Sequence, residues 1–215
     1  MTTTPVQIRE HHFELHPLRA LWWAKHKVLI CADVHIGKGE HFRNAGIPIP
    51  KAVNSSNLWN LVILLEQFNP DKLIFLGDLF HSRANAEWDD LTDCLAQFPD
   101  IEYVLIKGNH EIELRSAYEQ LGFSVHDEML IDGVRFTHEP PTDKLQDAFT
   151  ICGHIHPAVR MRGSANQSLR LPCYWFGTEL GILPAFGEFT GAHTVHPKKG
   201  DTVFVIAENR VLKVM

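Results

Sequence analysis

Val28-Leu29-Ile30-Cys31-Ala32 runs straight into Asp33-Val34-His35. Five apolar residues are too few for a helix and too uniformly apolar for a half-exposed strand. The run therefore reads as a strand buried on both faces of a sheet. The arrangement recurs. Residues 73–76 lead into Gly77-Asp78, 103–106 into Gly108-Asn109-His110-Glu111, 134–137 into His138, and Phe149–Cys152 into Gly153-His154-Ile155-His156. Five strands thus end in metal-capable side chains, and ligands of open α/β sheets collect at the carboxyl ends of strands.

Between the strands lie helical patterns. Residues 51–68 place Leu58, Leu61, Leu65 and Phe68 on one side, 86–98 do the same with Trp88, Leu91 and Leu95, and 111–121 give a weaker pattern. This alternation predicts a βαβ half with a mainly parallel sheet. Beyond residue 121 the strands shorten and are broken by glycine and proline, including 134–137, 168–175 and 202–206, which predicts a second, more antiparallel sheet. The segment 157–200 is rich in glycine and proline yet too aromatic for a flexible linker. One domain, residues 1–215, is the expectation.

At 45% hydrophobic and 21% charged, the 215-residue chain is neither disordered nor fibrous in composition. Its 14 histidines are unusual, because imidazole serves both as metal ligand and as acid or base near neutral pH. The net charge of −6 is uneven: +2 over residues 1–84, −11 over 85–150 and +3 over 151–215. The acids of the middle third are expected on solvated helix faces. Cys31, Cys94, Cys152 and Cys173 form no C-x-x-C pair and read as buried thiols of a reducing compartment. With no signal-peptide core and no membrane span, the expected location is cytoplasmic.

Spacing adds detail. In an extended segment residues i and i+2 point the same way, so Asp33 with His35, and His154 with His156, are each expected to present two ligands to one cavity. Adjacent Asn109 and His110 require different roles, Asn109 coordinating and His110 facing the substrate. His11, His12, His16, His26, His41, His126, His193 and His196 have no usable ligand spacing and read mostly as surface or rim residues, with His193 and His196 nearest the site. His110-Glu111-Ile112-Glu113-Leu114 begins like a zinc-protease helix but has Leu114 where the second histidine is needed, and there is no Walker loop or nucleophile elbow.

The ordered set Asp-x-His, Gly-Asp, Gly-Asn-His-Glu, His and Gly-His-x-His resembles the signature of the calcineurin-like metallophosphoesterase superfamily. The chain looks closest to its ligase-associated DNA damage response endonuclease branch, through Ala32-Asp33-Val34-His35-Ile36-Gly37-Lys38, Phe42-Arg43-Asn44-Ala45-Gly46-Ile47-Pro48, Gly77-Asp78-Leu79-Phe80-His81-Ser82 and Leu183-Pro184-Ala185-Phe186-Gly187-Glu188-Phe189-Thr190-Gly191. Glu111 replaces the aspartate of many members and keeps the carboxylate. The resemblance implies an α/β fold, an αββα sandwich of two mixed β-sheets flanked by helices. It implies two divalent ions, one held by Asp33, His35 and His156, the other by Asn109, His138 and His154, with Asp78 bridging. Oxygen and imidazole donors suit Mn2+, Zn2+, Fe2+ or Co2+, and the resemblance favours Mn2+. It further implies hydrolysis by attack of a metal-bound hydroxide on a phosphodiester, with His110 protonating the leaving alkoxide or donating a hydrogen bond to it.

The resemblance also implies DNA as the substrate, most simply single-stranded, cut in repair alongside a DNA ligase, a helicase and a nuclease. Residues 157–175 carry Arg160, Arg162 and Arg170 with no acid, directly after His154 and His156, and include Tyr174 and Trp175. Arginines and aromatics are what a strand-tracking groove uses. Arg43 is a candidate phosphate contact, and His81 with Ser82 a candidate lining of the cavity. The alternative is a small nucleotide or other small phosphoester; a metal-free scaffold is disfavoured because all seven ligand positions and His110 carry competent side chains.

Overall fold

The computed structural model describes residues 1–37, 52–80, 86–109, 114–143, 147–162, 167–188 and 190–215, with side chains from Ser56 and Trp88 onward where a segment opens on a helix. Arg43, His81 and His110, with Ser82 and Glu111, lie outside the described residues. A first sheet of seven strands runs in chain order: β1 (Thr4–Ile8), β2 (His11–Leu15), β3 (Ala20–Trp23), β4 (Val28–Ala32), β5 (Lys72–Leu76), β6 (Glu102–Ile106) and β7 (Ser124–His126). Strands β1 to β4 pair antiparallel and β4 to β7 parallel. Every residue of β4 is buried, as its unbroken apolar run requires.

Helices α1 (Ala52–Phe68), α2 (Ala86–Leu95) and α3 (Arg115–Gln120) link the parallel strands. All three pack on the outer face of this sheet: Leu61, Leu64 and Leu65 of α1, Trp88 and Leu91 of α2 and Tyr118 of α3 meet Leu29, Cys31, Leu73 and Phe75. The expected third helix is shorter than its pattern. It closes at Gly122, whose N–H bonds Glu119 O while Phe123 N–H bonds Tyr118 O, satisfying the last carbonyls.

The second sheet holds β8 (Met129–Ile131), β9 (Val134–Phe136), β10 (Phe149–Cys152), β11 (Pro157–Arg162), β12 (Ser168–Phe176), β13 (Leu180–Ile182), β14 (His193–Thr194), β15 (Thr202–Ala207) and β16 (Arg210–Lys213). Their order is β14-β11-β12-β13-β10-β9-β8, with β15 and β16 added beside β12. It is mixed, β10 being parallel to both β9 and β13 while β12 is antiparallel to β11, β13 and β15. The two sheets face each other across a core that includes Leu15, Trp23, Ile30 and Ile74 from one and Phe136, Phe149, Ile151 and Phe204 from the other. Each such side chain contributes about 1.5–3 kcal/mol by leaving water. A smaller cluster of Val159, Leu171, Cys173, Trp175 and Val205 lies on the second sheet's outer face. The four cysteines are buried free thiols. Among the described residues no helix is long and apolar enough to cross a membrane.

Three expectations change. Tyr174 is fully buried, its hydroxyl donating to the carbonyls of His16 and Ala20, so it is unavailable for stacking; Trp175 is half-buried and donates to Asp201. His11 and His16 are buried rather than peripheral. The middle-third acids whose side chains are described are solvated, but Asp127, Glu128, Asp132, Glu139, Asp143 and Asp147 sit at turns and strand ends, and among the described residues Glu87, Asp89, Asp90, Asp93 and Glu119 lie on helices.

Candidate metal centre

At the carboxyl ends of β4, β5, β9 and β10, six of the expected ligands meet in two groups. Asp33, His35 and His156 form one; Asp78, His138 and His154 form the other, the donor atoms of each lying within 4.8 Å of one another. The loops after β4 and β5 stay zipped beyond the strands, His35 N–H bonding Asp78 O and Ile36 N–H bonding Leu79 O, which holds Asp33 and Asp78 side by side. The two groups also touch. One carboxylate oxygen of Asp78 lies 3.7 Å from His35 Nε2, and the other lies 3.7 Å from His138 Nε2.

Backbone carbonyls set the imidazoles. A carbonyl can only accept, so His138 Nδ1–H donates to Leu76 O at 2.9 Å and His156 Nδ1–H to Thr190 O at 3.2 Å. In each ring Nε2 is thereby left as a lone pair directed inward. His156 Nε2 is 3.4 Å from Asp33 Oδ1, and His138 Nε2 is 3.1 Å from His154 Nδ1, a nitrogen pair that requires a proton or a cation between them. Asp33 Oδ2 accepts the His154 backbone N–H at 2.8 Å, whereas the buried Oδ1 accepts no hydrogen bond from the described residues. A buried carboxylate oxygen in that condition is costly without a cation. The residues therefore fit a pair of divalent ions, with oxygen and imidazole donors throughout.

The geometry that delivers these side chains is not the extended one expected. Asp33, His35, Asp78, His154 and His156 all have left-handed backbones, with φ of 52°, 48°, 45°, 64° and 51°. For residues with a Cβ this is strained, and such strain concentrates at functional sites. From these positions His154 and His156 enter different groups of the one cavity. Close approach also needs small residues. A Cβ on Gly77 would overlap the His138 ring, and one on Gly153 would overlap Asp33 Oδ2.

Asn109 lies in the loop after β6 beside the second group, where its Nδ2 donates to Glu139 Oε1 at 2.8 Å, leaving Oδ1 to act as a donor atom for a cation. It lines, with His138, Glu139, Lys107 and Arg135, a cleft of about 430 Å3. Glu139, Leu76 and Thr190 were not legible as site residues; only the Thr190 stretch lay within a quoted motif. His193 meets the site through its backbone, its N–H bonding His156 O.

Arg160, Arg162 and Arg170 lie on the β11–β12 hairpin, exposed, with Arg160 directly opposite Arg170 and Arg162 opposite Ser168. Trp175 pairs with Ile182, itself level with Cys152, so Arg170, five residues nearer the hairpin tip, stands about 16 Å beyond the end of β10. The arm thus projects past the strand ends that carry the site. By strand alternation its arginine face continues that of Tyr174, which farther down packs on the first sheet.

The model of the calcineurin-like phosphoesterase family matches residues 26–160. Among solved structures, the Pseudomonas putida nuclease MPE is 30% identical, with a TM-score of 0.82, over 99% of this chain and 100% of that one. The E. coli phosphoesterase Yfce is 14% identical with a TM-score of 0.45, over 87% of this chain and 97% of that one. A search of curated proteins finds no significant match.

Proposed function

The chain belongs to the calcineurin-like phosphoesterase family and is a metal-dependent phosphoesterase, and on that premise we propose that it is a DNA endonuclease, cutting single strands during repair. Asp33, His35 and His156 would hold one ion and Asn109, His138 and His154 the other, with Asp78 between the two groups; Mn2+ is the proposed metal. Two divalent ions in this setting lower the pKa of a water and offset the charge of the phosphoryl oxygens. The chain's own groups do the rest. The Leu76 and Thr190 carbonyls keep the His138 and His156 rings in the tautomer that aims Nε2 inward. Glu139 turns the Asn109 amide so that its oxygen is free to coordinate. His110, next to Asn109 in sequence, donates its proton to the leaving alkoxide.

The observation that carries the polynucleotide reading is the arm: three exposed arginines, no acid between residues 157 and 175, projecting past the strand ends that carry the centre. Like charges placed directly opposite across a hairpin repel unless an anion lies against them. The likeness to a nuclease along the whole chain supports the same reading. The test is Arg160→Ala/Arg162→Ala/Arg170→Ala on a single-stranded oligonucleotide with Mn2+. Losing three phosphate contacts should flatten the slope of log(kcat/KM) against log[salt] by about 2. An unchanged slope with unchanged cleavage removes the arm from substrate binding, and hydrolysis of small diesters alone favours the small-phosphoester alternative.

A further inference from the structure

We propose that Arg19 and the small cavity it lines hold the phosphate adjacent to the scissile one, an inference that deepens the polynucleotide reading and rests on it. The cavity is about 130 Å3 and is lined by Arg19, His156, Pro157, Pro172, Thr190 and Gly191 among others. That is room for about four water molecules, enough for a phosphate group. His156 is its shared wall with the metal centre: the same ring that lines the cavity directs Nε2 toward Asp33. A strand with one phosphate at the ions can therefore lay the next across this imidazole.

Arg19 is equipped to receive it. Its Nη1 donates to Ala185 O at 3.2 Å and Gly187 O at 3.1 Å, while Nε and Nη2 make no hydrogen bond to the described residues. Those two nitrogens form the edge that matches a phosphate bidentately. No carboxylate among the described residues lies within ion-pairing distance. Glu188 acts on Arg19 only from farther away, and Ser56 Oγ donates to its carboxylate at 3.2 Å. Burial lowers the arginine pKa, yet a guanidinium stays charged, so a half-buried cation with no carboxylate of the described residues at ion-pairing distance lines the cavity. Arg19 also occupies a left-handed position, φ 64°, in the turn between β2 and β3, where glycine would sit without strain; the turn itself gives no reason for an arginine.

The competing role is structural. Arg19 holds the turn at Ala185 to Gly187, and Phe186 N–H and Gly187 N–H bond the carbonyls of Ala32 and Asp33. Arg19→Gly suits the turn but removes the carbonyl contacts together with the free guanidinium edge, so substrate length and metal content are the readouts that separate the two roles. With Mn2+, kcat/KM is measured on a dinucleotide carrying one phosphodiester and a trinucleotide carrying two, together with bound Mn2+ per chain. The wild type should gain from the second phosphate. Arg19→Gly should erase about tenfold of that gain, through KM, with Mn2+ still bound, and Arg19→Lys should restore part of it. Equal losses on both substrates with loss of Mn2+, or a gain that survives Arg19→Gly, overturn the proposal. A wild type that hydrolyses bis(p-nitrophenyl) phosphate but neither nucleotide instead overturns the polynucleotide reading, and this inference with it.

Discussion

Gly77→Ala adds one methyl group at the end of β5, where the consequences for the candidate centre can be worked out in ångströms. The new Cβ would lie 2.5 Å from His138 Cγ, closer still to Nδ1, and 2.9 Å from Gly108 Cα, whereas real Cβ atoms keep at least 3.0 Å. The Gly108 backbone blocks one side, so the imidazole must retreat by more than about 0.5 Å, when metal–ligand distances tolerate about 0.2 Å. The retreat also stretches the 2.9 Å bond to Leu76 O that orients the ring. Losing such an orienting contact lowers metal affinity about 10- to 100-fold. Overpacking adds about 1–3 kcal/mol of destabilisation, and the left-handed φ of 71° adds about 1 kcal/mol. Gly122→Ala is the control, since it carries the same strain at φ 86° with nothing within 4 Å of its Cβ. The assay is Mn2+ bound per chain after equilibrium dialysis, beside urea unfolding of metal-free protein. Gly77→Ala should fall from two ions toward one while Gly122→Ala keeps two and loses only about 1 kcal/mol. If Gly77→Ala retains both ions at wild-type affinity, His138 is not a ligand and the reasoning fails.

Two more predictions follow from particular contacts. Glu139→Ala frees the Asn109 amide and should weaken Mn2+ binding about tenfold or more, while Glu139→Gln, which keeps an acceptor oxygen, should restore it; equal effects of the two variants in a Mn2+ titration would argue against positioning. His16 is buried against Phe68 and accepts the Leu18 N–H at Nδ1, and burial holds its pKa at about 4 against an ordinary 6.5. Above pH 6.5 both folded and unfolded forms are neutral and the stability is fully present. As pH falls from 6.5 to 4 only the unfolded chain takes the proton, so stability drops by about 3 kcal/mol. Urea unfolding of metal-free protein across that range should show this drop, reduced in His16→Gln; parallel slopes would refute it.

The parallel half of the first sheet was legible because strands covered on both faces must be apolar throughout, and β4, β5, β6 and β10 lie within a residue of the runs that announced them. The antiparallel strands β1 to β3 were not, because β1 and β2 are buried on one face only and mix His11, His12 and Glu14 among their apolar residues. Strands as short as β13 and β14 carry no periodicity to detect. The polar clusters at strand ends were visible as residue types in order. Their delivery was not, because a left-handed Asp33 or His156 leaves no mark in a sequence as a glycine would. Glu139 and the Leu76 carbonyl were hidden for another reason: their part is to orient other side chains, which is a matter of proximity rather than motif.

Each three-residue group draws on both sheets. Asp33 and His35 follow β4 and meet His156 from the second sheet; Asp78 follows β5 and meets His138 and His154. Ions held there are cross-links between layers, joining residues as far apart along the chain as Asp33 and His156. The chain has four free thiols and no disulfide, so such a staple would open and close with metal supply rather than with redox state. Its contribution grows with the logarithm of free ion concentration, which makes the firmness of the sandwich itself a readout of the metal available to it.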